Sequence, residues 1–184
     1  MAVKKIKKRW VEMLAPKEFN SIELGPSYCM EPEDLIGRKM QVNLMHLTRD
    51  IKKQNTRVTF EACAVKDGCV HTNFSGLEII PSHIKRITKR NKTKIEDSFK
   101  CVTKDKINVI IKPVIITKSL VSNKTATDVR RNVKELISKY VLEKSYSGIV
   151  KSILNFEIQK MLSFELKKVT PISVSLIKKF CITK

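Results

Sequence analysis

The sequence lacks any run of about 18 consecutive apolar residues, the length that a helix needs to cross a bilayer. It therefore predicts no membrane-spanning helix. No apolar segment of the kind found in secretory signals follows the charged N-terminus, so we expect no such signal. Internal repeats and low-complexity tracts are missing as well. An apolar fraction of 42% nevertheless indicates a folded chain rather than a disordered basic tail.

Patterns typical of metal or catalytic sites are also missing. The five cysteines are Cys29, Cys63, Cys69, Cys101 and Cys181. They form no CxxC pair, which argues against a zinc site, and reduced thiols in a cytosolic protein are the expectation. No histidine stands at a telling offset from a serine, a cysteine or a carboxylate pair, and P-loop and dinucleotide motifs are absent. The sequence thus predicts no catalytic residue, no metal and no cofactor.

Acidic residues are scarce beside basic ones. The chain has 18 Asp and Glu against 37 Lys and Arg, a formal net charge of +19 on 184 residues. Such an excess costs self-repulsion in the compact state, so we expect a polyanionic partner. RNA, DNA and anionic membrane surfaces all carry the right charge, and we favour nucleic acid and expect no membrane partner. Aromatic residues make up only 6%, which limits stacking, so phosphate contacts should dominate binding.

The stretch from Thr72 to Asp97 has the clearest binding pattern. Gly76 predicts a turn, Pro81 predicts the first turn of a short helix, and Ile84 and Ile87 predict its inward face. The cations expected on the opposite side or just past the helix end are Lys85, Arg86, Lys89, Arg90, Lys92 and Lys94. A cationic face held by an apolar underside suits a phosphate backbone, although basic side chains usually only face water.

A basic N-terminal arm, residues 1–9, ends directly before Trp10. Its cations are Lys4, Lys5, Lys7, Lys8 and Arg9. Such an arm can lie along a nucleic-acid backbone, and the aromatic ring can stack on a base or sugar. We favour RNA binding for the arm. For Trp10 we favour the other interpretation, in which the indole anchors the first strand in the core.

Alternating apolar residues predict a β-rich first part of the chain. The predicted strands cover residues 11–14, 40–44, 58–64, 70–74, 95–101 and 107–118. Asp67-Gly68 predicts a tight turn, residues 17–34 predict a surface loop, and Pro113 marks an edge, a bend or a change of partner. Around six strands at this spacing favour a curved, antiparallel or mixed β-barrel-like sheet.

The second half predicts helices and a last strand. Apolar residues from 129 to 141 form one stripe, and Thr125 with Asp128 resembles a capping box. The cations Arg130, Arg131 and Lys134 would then lie near the helix start, where the helix dipole disfavours them, so RNA contact and plain solvation are equal alternatives.

A further helix is predicted over residues 149–168 and a final strand over residues 172–182. Phe156 and Phe164 lie off the apolar stripe of that helix, where a second buried face or a partner protein could cover them.

An ordered set of motifs extends from residue 7 to residue 180. In chain order they are Trp10 with Ala15-Pro16 and Phe19, Leu35-Ile36-Gly37-Arg38, Val42-x-Leu44-x-x-Leu47-Thr48, Phe74-x-Gly76 with Glu78, Ile84-Lys85 to Lys94-Ile95, Thr103-Lys104-Asp105, and Lys112-Pro113. The set resembles the archaeal and eukaryotic small-subunit ribosomal protein family eS-one, formerly S-three-A.

The resemblance implies a curved β-barrel-like domain with packed helices, held in the small subunit by rRNA. It also implies a place on the platform near the mRNA exit, with rRNA, neighbouring ribosomal proteins and mRNA as partners. The basic run of the family falls on Lys85, Lys89, Arg90 and Lys94, whereas Arg86 and Lys92 stand where relatives often carry serine.

The chain departs from the pattern of the family in three places. Its arm is shorter than in many eukaryotic relatives, Asp105-Lys106 stands where Asp-Gly is expected, and residues 172–176 are less basic than usual.

Together these patterns predict an α+β fold with a basic arm (residues 1–9), a β-barrel-like RNA-binding domain (10–118) and a helical region with a final strand returning to the sheet (119–184). The leading hypothesis is a structural, non-enzymatic constituent of the small ribosomal subunit that binds rRNA, supports translation and is ribosome-bound in the cytoplasm. The alternative is a free-standing RNA- or DNA-binding barrel outside the ribosome. A hydrolase with an unrecognised site is a third and weaker hypothesis.

Overall fold

The computed structural model describes residues 7–183, apart from the side chain of Lys17. These residues divide into two compact units, one extending to Gly76 and the other beginning at Leu77. The domain limits predicted from the sequence, 10–118 and 119–184, stay a prediction. Lys4 and Lys5 lie outside the described residues.

The first unit is built from β-strands with short helical turns between them. Its elements are β1 (Arg9–Leu14), β2 (Glu23–Cys29), β3 (Lys39–Asn43), α1 (Leu44–Thr48), β4 (Thr56–Lys66) and most of β5 (Cys69–Ile79), with 3₁₀ turns at Lys17–Phe19, Pro32–Leu35 and Ile51–Lys53. The strand order is β2-β1-β5-β4-β3. Because β1 runs antiparallel to β2 and parallel to β5, the sheet is mixed, as predicted.

The tight turn predicted at Asp67-Gly68 is confirmed. Both residues have positive φ, 52° and 77°, which is the conformation that a two-residue hairpin between β4 and β5 requires. The turn predicted at Gly76 is wrong, because β5 continues through it to Ile79.

Two groups of side chains fill the interior of the first unit. Val11 and Met13 of β1 pack with Ala62 of β4 and Val70 of β5. Beside them, the rings of Phe19, Phe60 and Phe74 contact one another at centroid distances of 5.2–6.3 Å.

The loop predicted over residues 17–34 is only partly right, because β2 lies inside it. Pro26 of β2 stands opposite Glu12 of β1. Proline lacks an N–H group and is tolerated in an edge strand, and β2 forms such an edge among residues 7–183. The Gly25-Pro26 pair therefore marks an edge strand here rather than a loop.

The second unit has its own strands around the long β8 (Asn108–Thr117). Antiparallel to it run β9 (Ile172–Ile182) on one side, and β6 (Lys94–Glu96) and β7 (Phe99–Val102) on the other. The pairing of β8 with β9 shifts register between Lys112 and Pro113, so the ladder is irregular at the proline where an edge, a bend or a change of partner was predicted. The strand predicted over residues 95–101 is divided into β6 and β7.

Four helices complete the second unit: α2 (Pro81–Ile87), α3 (Asn123–Glu143), α4 (Tyr146–Leu154) and α5 (Glu157–Leu166). The single helix predicted over residues 149–168 is divided between α4 and α5, because Phe156 adopts a left-handed conformation with φ of 60°. The predicted α+β class, with a mixed, mainly antiparallel sheet and C-terminal helices, is confirmed. Among residues 7–183, no helix is both long enough and apolar enough to span a membrane.

The capping box predicted from Thr125 and Asp128 is wrong. Helix α3 begins one turn earlier, at Asn123, and the hydroxyl of Ser122 caps it by accepting the backbone N–H of Thr125 at 3.3 Å. Several serine, threonine and asparagine residues precede the apolar stripe, so local sequence offers more than one possible start.

The turn after Thr103 forms although the expected glycine is replaced. Lys106 takes the left-handed conformation, with φ of 58°, and its N–H donates to the carbonyl of Thr103 at 2.9 Å. The left-handed conformation is more strained for a lysine than for a glycine, which has no Cβ atom.

Candidate nucleic-acid interface

Residues 81–94, which we call the basic segment, change structure halfway along. Lys85 and Arg86 lie on α2, which ends at Ile87. Thr88 closes this helix: its hydroxyl and its N–H both donate to the carbonyl of Ile84, at 2.9 and 3.0 Å. The remaining cations therefore lie beyond the helix, in the following loop and at the first position of β6.

The apolar underside of α2 is anchored as predicted. Ile84 is only 5% exposed and packs with Ile79, Val114 and Ile116. Ile87 is half-buried against the same cluster. The two isoleucines lie one helical turn apart, so both face the strands while Lys85 and Arg86 face solvent.

The loop after α2 is held at its far end by Thr93. The N–H of Thr93 donates to the hydroxyl of the fully buried Thr117 at 3.0 Å. In return, the N–H of Thr117 donates to the carbonyl of Thr93 at 3.1 Å. The hydroxyl of Thr93 also accepts the N–H of Val121 at 3.1 Å. The basic segment is thus fixed at both ends, which limits the ordering cost when its side chains bind a partner.

The cations of the basic segment differ in the partners that their side chains already have. Lys94 shares the carboxylate of Glu96 with Lys178, each at 3.4 Å. Lys92 donates to the hydroxyl of Ser173 at 3.0 Å. By contrast, the exposed Lys85, Lys89 and Arg90 enter no ion pair among residues 7–183.

Arg86 is held by a neighbouring histidine. Its guanidinium lies 3.0 Å from Nδ1 of His83, and burial together with the charge of Arg86 lowers the pKa of that imidazole. A neutral ring can accept the guanidinium N–H, so His83 orients Arg86 without adding charge.

The second predicted set, Arg130, Arg131 and Lys134, lies on the exposed face of α3. The opposite face is buried through Val129 and Val133. Because α3 begins at Asn123, Arg130 is two turns from the start, and the dipole effect falls off within the first turn. The supposed conflict with the dipole, which singled out these three cations, is therefore absent.

In the first unit, Lys7 and Lys8 precede β1 and Arg9 begins it, opposite Cys29. All three side chains are exposed. The assignment of RNA contacts to the arm, the basic segment and α3 stays a prediction.

The core position predicted for Trp10 is wrong. Its side chain is 68% exposed, because Val11 and Met13 take the buried face of β1 and alternation turns Trp10 outward. Its ring contacts Tyr28 across the strands, at a centroid distance of 4.9 Å. The alternation was visible in the sequence, but β2 was not, so the partner of Trp10 could not be found.

Residues 7–183 contain no group of three histidine, cysteine, aspartate or glutamate side chains that could hold a metal ion. Burial raises the pKa of the Cys101 thiol, which makes this cysteine a poor nucleophile.

Comparison with known proteins places the chain among ribosomal proteins by similarity. The profile of the Ribosomal S3Ae family matches residues 4–184. A protein of Nanoarchaeum equitans named small ribosomal subunit protein eS1 is 30% identical over 174 residues, covering 95% of this chain and 88% of the relative. The protein of the same name from Haloarcula marismortui is 26% identical, covering 94% and 81%. That from Staphylothermus marinus is 31% identical over 137 residues, covering 74% and 63%.

Proposed function

The chain belongs to the Ribosomal S3Ae family, and on that premise we propose that it is a structural constituent of the small ribosomal subunit. In this proposal rRNA and neighbouring ribosomal proteins hold it in the subunit, where it supports translation in the cytoplasm. The observation that carries the proposal is similarity along nearly the whole chain to proteins named small ribosomal subunit protein eS1. The role is structural and involves no catalysis.

The finer part of the proposal is a position on the platform near the mRNA exit, with mRNA as a neighbour. It is supported by the motifs shared with the family, such as the run from Ile84 to Ile95.

The basic segment is the main rRNA contact in this proposal. Its support is the combination of an anchored backbone with exposed cations that enter no ion pair among residues 7–183: Lys85, Arg86, Lys89 and Arg90. Phosphate contacts of this kind position a protein on RNA without selecting a sequence. Lys94 adds less, because Glu96 already offsets part of its charge.

Gradient sedimentation of the tagged full-length chain in its native cells tests the proposal. We expect the chain to sediment with small subunits and to remain there when subunits are separated from free RNA. Recovery in light fractions together with RNA would instead favour a free-standing nucleic-acid-binding protein. Recovery in light fractions without RNA would contradict both functions.

A further inference from the structure

Two exposed aromatic side chains form a pair on the first unit, beside the last residues of the basic arm. Trp10 of β1 and Tyr28 of β2 are cross-strand partners, and their rings are tilted by 44° at a centroid distance of 4.9 Å. Trp10 is 68% exposed and Tyr28 is 49% exposed. The core of this unit is filled by other side chains of the same strands, including Val11 and Met13, so the pair is not needed to close it.

Positive charge lies at one end of this pair. The ammonium of Lys8 lies 5.8 Å from the centroid of the Tyr28 ring. Lys7 and Arg9 are its exposed neighbours along the chain, and alternation along β1 turns Arg9 to the other face of the strand from Trp10. None of the ion pairs among residues 7–183 includes these three cations. At the other end, Glu12 lies two residues along β1 and is exposed, so a polyanion would approach from the Lys8 side.

Another exposed aromatic side chain, outside this pair, shows why this charge matters. Phe164 is also 68% exposed and also has a lysine near its ring, with the Lys168 ammonium 5.9 Å from the centroid. There, however, Lys168 forms an ion pair with Glu165 at 2.7 Å. The charge of the lysine beside Phe164 is therefore partly offset, whereas Lys8 beside Tyr28 enters no ion pair among residues 7–183.

We propose that Trp10 and Tyr28 form a stacking platform for an unpaired nucleobase of RNA, while Lys8 contacts a flanking phosphate. Aromatic rings beside a cationic track are the usual means of holding a single strand, since every base has a face that can stack. An unpaired base is required because the bases of a duplex are already stacked on each other. This inference deepens the RNA-binding role proposed above and rests on it.

Fluorescence tests the platform directly, because Trp10 is the only tryptophan of the chain. The full-length protein is titrated with oligouridylate and with an abasic oligonucleotide of the same length and charge. We expect oligouridylate to quench the tryptophan emission and the abasic strand to leave it nearly unchanged. Anisotropy of a labelled strand reports binding independently.

Variants separate stacking from charge. Trp10→Ala should weaken oligouridylate binding about 5- to 150-fold, the range found for loss of one stacked base, while Trp10→Phe should keep most of the affinity. Phe164→Ala is the matched control, with the same exposure of the side chain, and should leave the affinity unchanged. Both positions are exposed, so the variants should fold, which circular dichroism checks.

Two results of the titrations would overturn the platform. In the first, anisotropy shows that oligouridylate binds although the emission of Trp10 is not quenched. In the second, the abasic strand quenches this emission as strongly as oligouridylate does. Either result would leave phosphate binding in place without the platform.

Crosslinking supplies a third test. A photoreactive amino acid placed at Trp10 should crosslink to RNA in assembled small subunits. Crosslinks to protein alone would show that a protein covers this face, although the chain would still be a ribosomal constituent. Failure of the chain to enter small subunits, measured by sedimentation, is the separate result that removes the proposed function itself.

Discussion

Removing three exposed cations of the basic segment that enter neither an ion pair nor a side-chain hydrogen bond among residues 7–183 should change how RNA binding depends on salt. The variant carries Lys85→Gln, Lys89→Gln and Arg90→Gln. Each phosphate contact with a single strand adds about 0.7 to the slope of log affinity against log salt, so three contacts account for about 2. Between about 50 and 200 mM salt, the affinity of the unaltered protein should therefore fall about 20-fold more than that of the variant.

The control removes the same charge from another surface of the same unit. Arg130→Gln, Arg131→Gln and Lys134→Gln also delete three cations, so the net charge of the two variants is equal. Filter binding or anisotropy with an rRNA fragment at several salt concentrations gives both slopes. Thermal unfolding checks the fold, which should survive because all six side chains are exposed.

A slope reduced as much by the α3 changes as by the basic-segment changes would refute the reasoning. It would mean that net charge, rather than the anchored geometry of α2 and its loop, determines binding. A smaller change is expected for Lys94→Gln, since Glu96 already shares its charge between Lys94 and Lys178. If Lys94→Gln alone equalled the triple variant, our assignment of the unbalanced cations would be wrong.

Three further predictions concern stability. Ile84→Ala should lower the free energy of unfolding by about 2–5 kcal/mol in urea titrations, and the half-buried Ile87→Ala by less; equal losses would contradict the anchoring. Ser122→Ala should lower the free energy of unfolding by about 1 kcal/mol in the same titrations, and Asp128→Ala should change it little. A larger loss for Asp128→Ala than for Ser122→Ala would instead support the capping box of Thr125 and Asp128. Below pH 6.5 the unfolded chain protonates His83 while its lowered pKa keeps the folded form neutral, so stability should fall on acidification and fall less in His83→Gln.

Local periodicity was sufficient for the anchored part of the candidate site. The spacing of Ile84 and Ile87 after Pro81 predicted a short helix with an inward apolar face, and the structure has it. The same holds for the hairpin at Asp67-Gly68, because positive φ at both turn positions depends on those two residues alone. Such features involve neighbours within one turn of the chain, which a pattern can detect.

Features that depend on a distant partner were missed. The edge strand β2 was predicted as a loop, because Gly25-Pro26 is a turn signal unless another strand accepts the pairing. Without β2, Trp10 had no visible cross-strand neighbour and was placed in the core. Likewise, the sequence places Glu96 two residues from Lys94, but it does not show that Lys178, on β9, shares the same carboxylate.

The sequence by itself determined the excess of positive charge, the apolar faces of the helices and strands, and the family resemblance, because composition and short-range spacing are written along the chain. Only the tertiary structure decided which cations keep an unbalanced charge and which aromatic residue faces solvent. Ion pairing and burial depend on distance in space, and Glu96 meets Lys178 across 82 positions of the sequence. Glu96 is a near neighbour of Lys94 in the sequence, whereas only the fold brings Lys178 to the same carboxylate.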